Sequence, residues 1–288
     1  MAKILLVGCG ALGRKLAVRL IAAKHTLIAV KRSPLKSPLA GLEVVLADIT
    51  VAQAVTKIPR DVDVVVFVLS PSERNEAAYQ KLYGQGLFNV LCHFSHVSSS
   101  TSCARPRCLL VSSTSVYGQS NGEWVDEKSP AHASSFNGKA LMHAEQQLWA
   151  HSVDNIVVRF SGIYGRGREG LLRRVSEGKP IQYDPPYYSN RIHEEDCLGV
   201  LSFLIDRALL DKPLENLYLA SDSAPVPMTE VVLWLSELMS CSPPSAKPVN
   251  LALKKMNKRC RNDRLLKLGY VLRYSSYRNG YGELFESA

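Results

Sequence analysis

No apolar stretch in the sequence approaches the roughly 20 residues needed to span a bilayer. Met1-Ala2-Lys3 leads straight into an apolar run, with none of the charged and hydrophobic regions of a signal peptide. The sequence therefore predicts a soluble, cytoplasmic protein without a membrane partner. Cysteine is sparse and unpaired in pattern: there are seven, an odd number, at 9, 92, 103, 108, 197, 241 and 260, with no C-x-x-C. That argues against a disulfide framework. Cys92, His93, His96, Cys103 and Cys108 do fall within 17 residues. Their expected placement on a helix end, a Ser98 to Ser102 loop and a buried strand is not that of a zinc site, and no metal is expected. Acidic charge is also in deficit, with 26 Asp and Glu against 35 Lys and Arg.

The basic excess gathers near the C-terminus. Lys254, Lys255, Lys258, Arg259, Arg261, Arg264, Lys267, Arg273 and Arg278 face the single acid Asp263. Leu265, Leu266, Leu268, Tyr270, Val271 and Leu272 interleave them, so the segment is folded and not a basic tail. A solvated face plus a wall for an anionic ligand fits better than a nucleic-acid patch, and no nucleic-acid partner is expected.

What is present is a glycine fingerprint at the start. Ile4 to Gly13 reads Ile-Leu-Leu-Val-Gly-Cys-Gly-Ala-Leu-Gly, an apolar strand breaking into G-x-G-x-x-G and then an amphipathic helix. Gly8 permits the turn, Gly10 lets backbone approach a pyrophosphate, and Gly13 lets helix pack on strand. The N–H groups of Ala11, Leu12 and Gly13 open the helix toward the phosphates. About 20 residues on, where an NAD site places Asp or Glu, stands Lys31-Arg32-Ser33. Those cations suit a 2′-phosphate, so the expected cofactor is NADP, with NAD as the remaining option.

Buried strand-like runs at Leu42 to Ala47, Val62 to Leu69, Cys108 to Ser112, Asn155 to Phe160 and Leu217 to Ala220 alternate with helical stretches. The helices are expected at Ala52 to Lys57, Asn75 to His96, Phe136 to Ser152 and Asp196 to Leu210. This alternation predicts an α/β fold with a Rossmann-type doubly wound parallel sheet. Residues 1–165, with 191–221 returning to them, form the expected dinucleotide-binding domain. The proline-rich segments 166–190 and 222–288 form a smaller C-terminal substrate-covering domain. Ligands of such sheets lie outside the strand carboxyl ends, which marks Asp48 and Ile49 for adenine and Val68, Leu69 and Ser70 for the adenosine half.

Ser112-Ser113-Thr114-Ser115-Val116-Tyr117-Gly118, Arg159-Phe160-Ser161-Gly162-Ile163-Tyr164-Gly165, Asn190-Arg191-Ile192-His193-Glu194-Glu195-Asp196 and Leu268-Gly269-Tyr270 complete the pattern. With the glycine loop, these segments resemble the extended short-chain dehydrogenase/reductase superfamily, the NAD-dependent epimerase/dehydratase group, over nearly the whole chain. The resemblance implies action on an anionic, nucleotide-sugar-like small molecule. Arg191 and the C-terminal cations would face its diphosphate, and Ser113 and Thr114 would touch the substrate. It also allows a homodimer formed through the Asn75 to His96 and Phe136 to Ser152 helices.

Family catalysis uses a tyrosine and a lysine four residues later. The lysine helps lower the phenol's pKa so that it can exchange a proton as hydride moves. Here Asn137 stands at the tyrosine position, Leu141 at the lysine position, and Tyr83 where an asparagine of the preceding helix would be. Lys139 lies about 200° around the helix from Asn137. The chain thus resembles atypical members that keep the scaffold and lose the pair. Tyr117 and Tyr164, after strand carboxyl ends, are the leading replacements as acid/base. Tyr83 and His143 are secondary ones, and Ser113 is the retained hydroxyl. The competing expectation is a catalytically silent NADP(H)-binding redox sensor or regulator.

Overall fold

The computed structural model describes residues 1–95, 105–247 and 257–286. In chain order its first elements are β1 (Lys3–Val7), α1 (Ala11–Ala22), β2 (Thr26–Lys31), β3 (Leu42–Leu46), α2 (Ala52–Val55), β4 (Val64–Phe67), α3 (Glu76–Tyr79) and α4 (Leu87–Ser95). There follow β5 (Arg107–Ser113), β6 (Glu123–Val125), α5 (Phe136–His151), β7 (Ile156–Phe160), β8 (Gly162–Tyr164), α6 (Gly170–Ser176), β9 (Tyr188–Ser189) and β10 (Arg191–His193). The last are α7 (Glu194–Leu209), β11 (Leu217–Ala220), β12 (Val226–Pro227), α8 (Met228–Leu238), β13 (Lys258–Cys260), α9 (Asp263–Lys267) and α10 (Tyr277–Glu286).

Seven strands form one parallel sheet in the order β11-β7-β5-β4-β1-β2-β3. The chain starts at the centre and winds outward both ways, which is the doubly wound Rossmann architecture. Ile4 to Val7 and Val64 to Phe67 are buried throughout, as strands covered on both faces require. Leu5 pairs with Ile28 on one side and Val65 on the other. Helix α1 buries Leu12, Leu16, Ala17 and Leu20 along one stripe.

The chain folds as two compact units. The first comprises Met1–Val116, Ser135–Arg159 and Leu198–Tyr218, and the second Tyr117–Ser134, Phe160–Cys197 and Leu219–Ala288. In the first, Glu145 and Arg159 are buried, and the guanidinium grips the carboxylate at both oxygens, Nε to Oε1 at 3.0 Å and Nη2 to Oε2 at 2.6 Å. The Ser112 hydroxyl donates to the same Oε1 at 2.6 Å, tying α5 to β5 and β7. In the second unit, Tyr164, Val231, Val232, Leu235, Tyr277 and Tyr281 build a separate core.

One expected helix differs. In place of a single α-helix from Asn75, Asn75 caps α3 by accepting from Ala78 N, and Gln80–Gly86 forms a π-helical turn before α4. Gly84 and Gly86 weaken the α-helical preference there. The turn aims the Tyr83 hydroxyl at the Leu69 carbonyl, 2.9 Å away. The expected end at His96 lies outside the described residues.

Candidate functional site

The β1–α1 junction is shaped by three glycines with three different constraints. Gly8 has φ +96°, and a Cβ on it would overlap the Val68 carbonyl. On Gly13 a Cβ would sit 2.5 Å from the Gly8 oxygen. One on Gly10 would meet nothing within 4 Å. The first two are therefore required by the fold, whereas Gly10 keeps open the space outside the turn. Gly10 is also the N-cap of α1, with no side-chain cap and no acid in the first turn, so Ala11, Leu12 and Gly13 present backbone N–H groups in a positive end field.

Above this turn lies a cavity of about 240 Å³. It is lined by Gly8 and Gly10 from the turn, Lys31, Arg32 and Ser33 from the end of β2, Asp48 and Ile49 after β3, and Val68, Leu69 and Ser70 after β4. Nine of the twelve cofactor residues expected from sequence thus converge on one cavity. Ala11, Leu12 and Gly13 are not among its lining, and Leu12 is buried on the inner stripe of α1. Cys9, Ser33 and Leu82 also line it, although the sequence did not mark them as cofactor contacts. Leu82 arrives through the π-helical turn, which periodicity does not reveal. A second cavity of about 290 Å³ shares Arg32, Asp48 and Leu82 and adds Thr50, Glu73 and Lys81 among its walls.

Lys31 Nζ donates to the Cys9 carbonyl at 3.1 Å, so one cation is anchored to the glycine turn while Arg32 is exposed. Asp48 Oδ1 accepts from both Thr50 N (3.0 Å) and Thr50 Oγ1 (2.8 Å). Partial burial raises its pKa, but the Thr50 bonds and the charges of Arg32 and Lys81 outweigh that and hold it below the ordinary aspartate value.

The expected catalytic side chains are placed less favourably. Ser113 Oγ accepts from Ser115 N at 3.1 Å at the end of β5, and Thr114 beside it is buried. On α5, capped by Ser135, Asn137 is half-buried, Lys139 is exposed, and Leu141 is packed in the core at 5 % exposure. His143 is exposed and bonds Gln147. Tyr117 is buried and donates to the Asp126 carbonyl at 2.7 Å. The Tyr164 hydroxyl, closed over by Gly280, points at the Ser276 carbonyl, and burial drives its pKa well above that of free tyrosine. Burial does the same to Tyr83. All three phenols spend their proton on a backbone carbonyl, and Tyr164 and Tyr83 resist ionisation as well, so this geometry disfavours the acid/base role for Tyr117, Tyr164 and Tyr83.

In the second unit Arg191 is buried, with Nη2 3.2 Å from Met228 Sδ. Its carbonyl accepts from Asp222 N. Asp222 is buried as well, its Oδ1 accepting from Ala224 N and its Oδ2 unpartnered among the described residues. Burial pushes its pKa up to about 7, against the Ala224 bond and the Arg191 charge. Between pH about 4 and 7 the folded chain keeps a proton that the unfolded chain has released, so stability falls as pH rises through that window and is flat above it. Asp222→Asn keeps the Ala224 contact and removes the charge. It is expected to stabilise the protein at pH 8 by on the order of 3 kcal/mol and to give no gain near pH 4. Urea unfolding of both forms at the two pH values tests this, and an equal gain at both would exclude the buried charge as its source.

Within the C-terminal basic run Arg261, Lys267, Arg273 and Arg278 are exposed, as a solvated face requires, whereas Lys258 is not. Lys258 is buried with Nζ on the Tyr117 carbonyl at 3.3 Å, and burial lowers its pKa. Arg264, Arg273 and Arg278 find Glu127, Glu283 and Glu230 as partners. Those acids lie outside residues 254–278, so the charges within the run do not reveal the pairing. Lys254 and Lys255 lie outside the described residues. Among the described residues no cluster of three or more His, Cys, Asp or Glu could hold a metal ion, and no helix is long and apolar enough to cross a membrane. His96 and Cys103 lie outside the described residues. Cys108 is buried in β5, and buried His93 bonds the Ile58 carbonyl.

Comparison with known proteins places this geometry. Residues 4–183 match the model of the NAD dependent epimerase/dehydratase family. A candidate NAD-dependent epimerase/dehydratase from Methylobacillus flagellatus is 32 % identical with a TM-score of 0.81, over 99 % of this chain and 98 % of that one. MoeE5, solved with UDP-glucose and NAD, shares the fold at 20 % identity and a TM-score of 0.77, over 99 % and 97 % of the two chains. Protein YeeZ of Escherichia coli K12 is 31 % identical over 112 residues, which are 38 % of this chain and 39 % of YeeZ. The match thus spans about two-fifths of the length of that curated relative. The glycine turn, the doubly wound sheet and a family match over more than half of the sequence lead to one conclusion: the chain belongs to the NAD-dependent epimerase/dehydratase family.

Proposed function

We propose that the protein binds NADP(H) in the first unit's cavity, in preference to NAD(H), and is an NADP-dependent oxidoreductase, epimerase or dehydratase acting on an anionic, nucleotide-sugar-like substrate. The observation that carries this reading is the glycine turn with its open Gly10 side, closed at the tip of β2 by Lys31 and Arg32 where no acid stands. The amides of Gly10, Ala11, Leu12 and Gly13 would hold the pyrophosphate, Lys31 and Arg32 the 2′-phosphate, Asp48 and Ile49 the adenine, and Val68, Leu69 and Ser70 the adenosine half. The bound dinucleotide supplies the hydride donor or acceptor. Ser113 and Thr114 are the proposed substrate-facing hydroxyls and Arg191 the proposed cation toward the substrate's anionic group. Residues 166–190 and 222–288 are the proposed substrate-covering part. The nucleotide sugar bound by MoeE5 supports the substrate class. A cytoplasmic location and a homodimer through α3–α4 and α5 complete the proposal.

A second reading, a silent NADP(H)-binding sensor or regulator, is favoured by Asn137 and Leu141 and by the hydroxyls of Tyr83 and Tyr117 donating to backbone carbonyls. Calorimetry and turnover separate the two. The double variant Lys31→Ala/Arg32→Ala is expected to weaken NADP binding about 10- to 100-fold and to leave NAD within about threefold. Tighter binding of NAD than NADP by the unaltered protein would overturn the cofactor assignment. Turnover with NADPH on a panel of nucleotide sugars, reduced by Ser113→Ala, supports the enzyme. Tight cofactor binding with no turnover supports the sensor.

A further inference from the structure

Arg259 and Arg261 stand apart from the paired arginines of the C-terminal run. Arg259 lies on β13 directly opposite Trp124 on β6, and its guanidinium carbon sits 4.8 Å from the Trp124 ring centre and 4.7 Å from that of Tyr188. The guanidinium carbon of Arg261 lies 5.0 Å from the same indole. The ladder continues past β13 through Arg261 N to the Val125 carbonyl at 2.9 Å, so the two arginines occupy alternate positions of one extended segment. Among the described residues neither guanidinium pairs with a carboxylate. Glu123, on the paired strand, turns away to accept from Asn121.

The cluster is held in shape. Arg259 Nε donates to the Gly122 carbonyl at 2.8 Å. Gly122, at φ +80°, leaves room for the Tyr188 ring, which a Cβ would approach to 3.2 Å. Asn257 fixes both neighbours, its carbonyl accepting from Gly122 N at 2.8 Å and its Oδ1 from Tyr188 N at 2.9 Å. Trp124 is nonetheless 43 % exposed and Arg261 is exposed. Stacked guanidiniums lose little conformational freedom when they bind a carboxylate, and they keep their N–H edges for bidentate contacts.

Two positive charges, an indole N–H and a phenol O–H, with no acid among them, complement an anion. The segment that carries the two arginines is extended, so their Cα atoms are about 6.6–6.8 Å apart, the interval of alternate residues in an extended peptide laid alongside. We propose that the Trp124–Arg259–Arg261–Tyr188 face is a docking surface for an extended peptide segment carrying acidic side chains at alternate positions. The indole supplies the apolar contact between the two charge pairs. This site lies wholly within the second unit and does not depend on the cofactor or on turnover.

The test uses the full chain and a nonapeptide of alternating glutamate and serine. Binding is measured by calorimetry and by the Trp124 indole N–H resonance, assigned through its loss in Trp124→Phe. The peptide is expected to bind and to move that resonance. Arg261→Ala should weaken binding about three- to fivefold, and Arg261→Glu, at the exposed position of the pair, should weaken it further with the thermal midpoint unchanged. A peptide of the same composition with its glutamates contiguous should bind more weakly. The proposal is overturned if that peptide, pyrophosphate or an oligonucleotide of equal charge binds this face as tightly, if the resonance does not move, or if Arg261→Ala and Arg261→Lys both bind as the parent does.

Discussion

Glu145→Ala is expected to cost about 3–5 kcal/mol of folding stability, read as a fall in the urea midpoint at unchanged slope. The magnitude follows from what is left behind. Arg159 is 4 % exposed, and with its bidentate carboxylate gone a guanidinium remains in the core without its counter-charge. Ser112 also loses the acceptor of a 2.6 Å bond. A buried pair is not itself a large gain over apolar packing, because both ions were stripped of water to form it. The asymmetry provides a control. Glu145→Met with Arg159→Met should recover most of the loss, whereas Glu145→Gln, which keeps one acceptor oxygen, should fall between. A double variant as unstable as Glu145→Ala would show that packing of α5, and not the stranded charge, sets the cost.

The same triad explains what sequence reading could reach. Strands β1, β2, β4, β5, β7 and β11 were legible because a strand buried on both faces reads as a nearly continuous apolar run, and Ile4 to Val7 or Val64 to Phe67 can be little else. The cofactor cavity was legible because sheet topology puts strand carboxyl ends together, so Lys31, Asp48 and Val68 could be assigned from one rule. Contacts joining residues distant in sequence left no such trace. Nothing in Glu145 or Arg159 taken alone tells a buried ion pair from two surface charges. The π-helical turn escaped for a related reason. Apolar spacing across Gln80–Gly86 is compatible with an α-helix, and the turn becomes visible only where Tyr83 reaches the Leu69 carbonyl.

The tyrosines show a further limit. Their position after strand ends made Tyr117 and Tyr164 natural substitutes for a missing acid/base, but position fixes the backbone and not the hydroxyl's partner. Asp126 and Ser276 supply those partners from 9 and 112 residues away. Arg259 likewise lies in a run of cations in the sequence, and only the pairing of β13 with β6 brings Trp124, more than 130 residues earlier, opposite it.

Gly10→Ala is expected to separate binding from folding more sharply than any other single change. Its backbone, at φ −75° and ψ −159°, is open to alanine, and the added methyl meets nothing within 4 Å, so the folding stability of the ligand-free protein should change by no more than about 0.5 kcal/mol. The methyl nevertheless occupies the side from which a pyrophosphate must approach the α1 amides. Pushing the phosphates outward lengthens charge-assisted bonds at the helix N-terminus, and dinucleotide affinity should fall about 100-fold. Gly8→Ala and Gly13→Ala should behave differently. One forces a φ of +96° on an L side chain against the Val68 carbonyl, and the other drives a methyl to 2.5 Å from the Gly8 oxygen. Each should lose about 2–4 kcal/mol of stability before any cofactor is added. Thermal unfolding without ligand, set beside calorimetric titration with NADP, reads the two effects independently. An unchanged affinity in Gly10→Ala would mean that no pyrophosphate crosses the turn there, and the dinucleotide would have to lie elsewhere along the strand ends. Lost affinity at unchanged stability would instead show that two of the three glycines answer to the fold and the third to the ligand.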